Sequence, residues 1–190
     1  MVFNERRATD AAAHILKLCG GRMSYMKLIK LMYLADREAL KQHGHTISTD
    51  SFVSMDRGPV LSQVLNLITS EPSPEELLSP WHQVISGPQD YEIELLADTS
   101  FGQLSPNTES VLDAVYAQFG HWDRWQLVKY THALPEWRDP RGSSIPITIE
   151  EILMHQGVPQ ESIRIILGQT AAMDHMDEFI SRFENSAESK

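Results

Sequence analysis

The side chains able to do chemistry are sparse and scattered in this sequence. His43 and His45 place two imidazoles two positions apart at the end of a long helical pattern. A metal could use them, but a structural or catalytic site needs a third and usually a fourth ligand, and none is visible beside them. Asp174, Asp177 and Glu178 stand at i, i+3 and i+4, a spacing that holds a cation or, more commonly, forms a solvated helix face. His132, close to Pro135 and Trp137, reads as a hydrogen-bonded packing residue more than a base, and His121, His155 and His175 sit on separate segments. Asp56 and Arg57 precede Gly58–Pro59; a charged pair in a tight turn fixes the turn or offers a recognition contact. The single Cys19 can make no intramolecular disulfide and no Cys-based zinc site. No G-x-x-x-x-G-K-[ST], G-x-G-x-x-G or H-E-x-x-H occurs. No catalytic residue, metal or cofactor is therefore expected. A small metal-dependent hydrolase using His43, His45 and a distant carboxylate is the enzymatic alternative.

Composition narrows the partners. The chain has 190 residues, 42% hydrophobic and 22% charged, which suits a soluble globular domain with a sizeable core. Its formal net charge of −10 disfavours nucleic acid, which needs a positive footprint, and suits a basic protein partner. Lys27, Lys30, Arg37 and Lys41 are the one basic stripe, interrupted by Asp36 and Glu38; a nucleic-acid-binding regulator would have to use it. No apolar run is long enough to span a bilayer, and the first residues lack the apolar region of a secretory signal, so a cytoplasmic location is expected.

The element that must position these groups is Ser24 to His43, SYMKLIKLMYLADREALKQH. Leu28, Met32, Ala35 and Ala39 recur at helical steps, and Tyr25, Ile29 and Leu40 widen the apolar face, so this is a central helix with neighbours on several sides. Before it, Thr9 or Asp10 can cap a helix over Ala11 to Leu18. After it, Phe52 and Val53 read as extended, Arg57 to Val60 as a turn, and Pro59 as the opening of a helix through Val64 to Ser70. Glu71 to Pro80 is a loop with at most one helical turn at Glu75 to Leu78. Trp81 to Ala97 alternates apolar and polar residues about Gly87–Asp90 and predicts a β-hairpin, with Phe52 as a candidate third strand. Ser105–Pro106 starts a helix to Phe119. Trp122 to Ala133 is another, with Trp125, Val128 and His132 on one face. Thr148 to Glu151 is a capping box. Pro159 opens a last helix carrying Met173, Met176, Ile180 and Phe183, which either packs inside or forms a homodimer face, and Asn185 to Lys190 is a disordered polar tail. The expected fold is mainly α (α+β). One compact helical domain over residues 1–190, with its core over about 8–184, is built round the central helix; a small antiparallel β-hairpin or three-stranded β element is inserted mid-chain.

The wording of the central helix, K-L-x-K-L-x-Y-L-A-D over Lys27 to Asp36, resembles the signature of the Panacea domain of SocA-like antitoxins. Gly21-Arg-Met-Ser24 resembles the family's start, Phe52 with Arg57-Gly58-Pro59-Val60 its aromatic and G-P-V turn, and His132-Ala-Leu-Pro135-Glu-Trp137 its His…Pro-x-Trp element. The likeness runs from about residue 8 to 155. It implies an antitoxin of a bacterial or phage toxin–antitoxin pair that binds its cognate protein toxin directly, in the founding type as an adaptor to a Clp-type protease. It carries no catalytic residues. Lys27, Lys30, Tyr33, Asp36, Asp56, Arg57, Gly58 and Trp137 are the family-signature or partner-binding candidates, with a buried salt bridge from a lysine of the central helix to Asp36 or Asp56 as the structural alternative.

Overall fold

The structure, a computed structural model, describes residues 2–97 and 101–172. The chain opens with helix α1, Glu5–Leu18, six residues earlier than the sequence suggests. Asn4 is the cap, its side chain accepting from the Arg7 N–H, while Thr9 and Asp10 lie buried inside the helix. The Asp10 carboxylate accepts from the N–H groups of Phe101 and Gln103 and so ties a distant segment to α1. Ala8, Ala11, Ala12 and Ala13 are buried, small enough for close helix packing.

Strand β1, Arg22–Ser24, leads directly into α2, Tyr25–His43, which Gly44 ends in the left-handed conformation at φ 74°. From Met26 to Asp36 every residue except Lys27 is buried, because α2 touches α1 and most of the later elements. Strands β2, Phe52–Met55, and β3, Gly58–Leu61, form a hairpin across the Asp56–Arg57 turn. Pro59 is thus a strand residue; helix α3, Ser62–Thr69, begins three residues later. Its first N–H groups are held by Asp50, whose carboxylate accepts from Gln63 and Val64.

A single 3-10 turn at Glu76–Leu78 matches the helical turn expected there. The hairpin expected over Trp81 to Ala97 is present in a shortened form, with its arms joined between Val84 and Leu96, and its first residues are helical instead. Pro80–Val84 is helix α4, with Pro80 in its first turn, and Trp81 is fully buried beside α1. Only strand β4, Glu92–Glu94, is regular, and it pairs with β1 in register Met23↔Ile93, while the antiparallel bridges Ile85↔Leu95 and Gln89↔Glu92 join the two arms of the hairpin. Three-residue strands carry too little pattern to be read, and β1 and β4 lie 70 positions apart, as in the Arg22–Glu92 ion pair.

Helix α5, Pro106–Phe119, is capped by Ser105 as its sequence indicates. Helix α6, Arg124–His132, is closed by an Asp123–Gln126 capping box. Its buried stripe is Leu127 and Thr131, whereas Trp125 is 54% exposed, which corrects the face read from spacing. Strand β5, Ile145–Ile147, completes a sheet of order β3-β2-β5, with Phe52 opposite both Leu61 and Ile147. So Phe52 does join a third strand, but not the one expected. Helix α7, Ile149–His155, has the Thr148–Glu151 capping box, and a last helical segment runs over 160–172. The sites expected at Met173, Met176, Ile180 and Phe183, the Asp174–Asp177–Glu178 cluster, His175 and the polar tail lie outside the described residues. The fold is mainly α with small antiparallel β elements, organised round α2 as expected.

Candidate functional site

Lysine 30 stands in the middle of α2, where helical spacing alone assigns it to a polar face, yet it is 1% exposed. The reason is the β2–β3 hairpin, which lies across it. The Lys30 amine donates to the Pro59 carbonyl at 2.8 Å. Gly58 has φ +96°, and a Cβ there would stand 2.8 Å from Lys30 Nζ, 2.8 Å from Thr131 Oγ1 and 2.9 Å from His132 Cδ2. Glycine is required twice over, for its left-handed backbone and for the missing methyl. No carboxylate pairs with Lys30 among the described residues. Burial therefore pulls its pKa down to about 7.

The same hairpin is stapled from its other side. His132 stacks on Trp137 with centroids 4.2 Å apart and rings within 10° of parallel. The Trp137 indole donates to the Met55 carbonyl at 3.0 Å, and the Arg138 N–H to Ser54 Oγ at 3.2 Å. Asp56 Oδ1 accepts from the Gly142 N–H at 2.9 Å, which ties the turn to the following loop. His132 Nε2 is buried without a hydrogen-bond partner. Burial first, then the nearby Lys30 charge, hold its pKa down, against an upward pull from the backbone of Asp56 and Arg57. With Lys30, Thr131, His132, Trp137 and Gly142 all fixed beneath or beside it, the turn presents Asp56 and Arg57 to solvent.

A second network lies one turn along α2. Tyr33 donates to Glu136 Oε1 at 3.1 Å and Arg37 Nε donates to the same oxygen at 2.6 Å. The Glu136 side chain is 0% exposed and Arg37 only 16%, so this ion pair is nearly dry. Gln156 adds a bond to the Arg37 carbonyl at 2.9 Å. Burial and the Glu136 charge raise the Tyr33 pKa, keeping it a neutral donor. Asp36 takes no part. Its buried carboxylate accepts from the Ile47 and Ser48 N–H groups and from the Ser48 hydroxyl, closing the loop after α2. Burial lifts its pKa to about 6 although those bonds oppose the shift. The suggested salt bridges from a helix-two lysine to Asp36 or Asp56 are not formed. Lys30 takes a carbonyl instead, and Lys27 donates to the Gly120 carbonyl.

The candidate residues thus divide. Lys30, Gly58 and Trp137 meet round the hairpin, with Asp56 and Arg57 exposed at its tip; Tyr33 serves the Glu136 network; Lys27 and Asp36 act elsewhere. Sequence reasoning missed Glu136 and the ion-pairing part of Arg37. Glu136 lies within the His-Ala-Leu-Pro-Glu-Trp run, but its partners are 103 and 99 positions away. The basic stripe offers nucleic acid little: Lys30 is buried, Lys27 and Arg37 are engaged, and Lys41 alone of the four is exposed. His43 and His45 stack at 6.0 Å, and no group of three metal-ligating side chains occurs among the described residues. A buried lysine with pKa about 7 has the reactivity of a base or imine-former. At 1% exposure, bonded to Pro59 and covered by Gly58, it meets no substrate in this conformation.

Comparison with protein families matches residues 28–138 to the antitoxin SocA-like, Panacea domain family. That span is more than half of the chain and runs from within α2 to the residue after Trp137, enclosing Lys30, Tyr33, Arg37, Gly58, Glu136 and Trp137, while Gly142 and Gln156 lie beyond it. Comparison with curated proteins and with solved structures returned no match. No helix of the described residues is long and apolar enough to cross a membrane.

Proposed function

The chain belongs to the SocA-like antitoxin family and carries its Panacea domain, and on that premise we propose that it neutralises a partner protein toxin by direct contact in the cytoplasm, without catalysis. The observation that carries this reading is the way the signature residues divide between core and surface. Lys30, Gly58 and Trp137 fix a hairpin, and Arg57 stands exposed at its tip. An arginine on a turn that is already rigid loses little entropy on docking, and arginine is among the residue types that dominate interface energies. Asp56, beside it, is engaged by the Gly142 N–H, which leaves Arg57 as the contact. Lys27, Lys30, Tyr33 and Asp36 serve the scaffold in this reading. The test is co-expression with the toxic product of a neighbouring reading frame: the wild-type chain restores growth and co-purifies with it. A half-life measurement of the toxin separates two modes. Simple occlusion leaves it long-lived in the complex, and delivery to a Clp-type protease shortens it only when that protease is present.

A further inference from the structure

Two concavities of about 470 and 530 Å³ adjoin beneath the segment from Ser70 to Leu78, with Leu67, Ser70, Pro72 and His82 lining both. Together they form one groove running from the start of α1, at Phe3 and Glu5, past the end of α3 to the chain after α4. Two features of its walls stand out. Leu77 and Leu96, both in the lining, are 54% and 58% exposed, and core packing gives no reason for either. Glu5, Glu71 and Glu76 also line it, and no lysine or arginine does; Arg6 and Arg7, next to Glu5 in the chain, are absent from both walls.

We infer that this groove receives a basic amphipathic segment of the partner toxin, its apolar side chains on Leu67, Leu77 and Leu96 and its lysines or arginines against Glu71 and Glu76. The inference rests on the antitoxin reading and adds a second contact to Arg57. Charge selects the occupant. Residues 173–190 of the chain itself carry five carboxylates, Asp174, Asp177, Glu178, Glu184 and Glu188, against Arg182 and Lys190. A second copy brings a net charge of −10. Both repel an acidic groove, whereas a basic segment is attracted and its apolar face covers exposed leucine.

The experiment uses the full chain and three synthetic peptides of equal length: a Lys/Leu helix with one apolar face, a scrambled version of the same composition, and a Glu/Leu counterpart. Affinities are measured by titration calorimetry, and a photo-crosslinking amino acid in place of Leu77 reports what lies in the groove. The Lys/Leu helix binds at least tenfold more tightly than either other peptide. E71K and L77S each weaken it at least tenfold, and L78S, which removes an even more exposed leucine outside the lining, leaves it unchanged. Crosslinks form to the peptide. Equal binding of the scrambled peptide, indifference to E71K and L77S, or crosslinks to residues 173–190 or to a second copy overturns the inference. Because no toxin enters the assay, such a failure is separate from failure of the antitoxin reading, which growth rescue reports.

Discussion

Replacing Gly58 by alanine separates the two reasons for glycine at the hairpin. The first is backbone: at φ +96° an L-residue is in the left-handed half of the map, at about 1–2 kcal/mol. The second is space. The new methyl would lie 2.8 Å from Lys30 Nζ, so the amine must retreat and give up its bond to Pro59, inside a site where it reaches no water. A hydrogen bond from a charged donor contributes about 1.5–3 kcal/mol, which brings the expected loss for G58A to about 2.5–5 kcal/mol. Gly21 is the control: its φ is +94° and nothing lies within 4 Å of its virtual Cβ. G21A carries the backbone term alone, about 1–2 kcal/mol, and the gain from a less flexible unfolded chain is common to both variants and cancels. Urea unfolding followed by tryptophan fluorescence, with both variants at one pH, gives the difference directly. If G58A and G21A agree to within about 1 kcal/mol, the lysine is not held as described and the reasoning fails.

Lys30 also sets a pH dependence. The unfolded chain holds this proton to about pH 10.5, the folded chain only to about 7, so stability rises as the pH increases through that window. The full effect is roughly 5 kcal/mol, from 1.36 kcal/mol per unit. Unfolding titrations at pH 7 and 9.5 are expected to show the rise in the wild type and its loss in K30M. Asp36 works the other way. Its folded pKa of about 6 exceeds the unfolded value of 3.8, so it favours the fold below pH 4 and this contribution is lost as the pH climbs past 6. D36N is expected to flatten that part of the profile, read from unfolding titrations at pH 4 and 7. In the second network, E136Q strands Arg37 in a nearly dry site and is expected to destabilise by about 3 kcal/mol, against about 1 kcal/mol for Y33F. A double-mutant cycle on the unfolding free energies checks whether Tyr33 and Glu136 are coupled.

Where the sequence was legible, the signal was local. The uninterrupted spacing of Leu28, Met32, Ala35 and Ala39 revealed α2, and Ser105–Pro106 and Thr148–Glu151 carried their own caps. Trp81 misled because a few alternating residues imitate a strand, while Pro80 had already set a helical turn and α1 offered Trp81 a buried place. The buried state of Lys30 was hidden for a different reason. Nothing near it in the sequence reports that Gly58 lies against its amine, and a lysine on an amphipathic pattern is assigned to water by default. Glu136 was invisible in the same way: its burial depends on Tyr33 and Arg37, reached only once the chain has folded back on α2. The motifs therefore pointed to the stretch that the family match covers, but the contacts of its charged residues are ones that no spacing encodes.

The most direct test of the antitoxin account is a growth-rescue titration. The toxic product of the neighbouring reading frame is expressed at a fixed level while wild-type chain and R57E are induced to matched, verified concentrations. Because Arg57 is exposed, R57E is expected to unfold at the same urea concentration as the wild type and to need at least tenfold more protein for equal rescue. Rescue by R57E at the wild-type dose would remove Arg57 from the interface. Failure of the wild-type chain to rescue growth, or to bind the toxic protein at all, would contradict direct neutralisation.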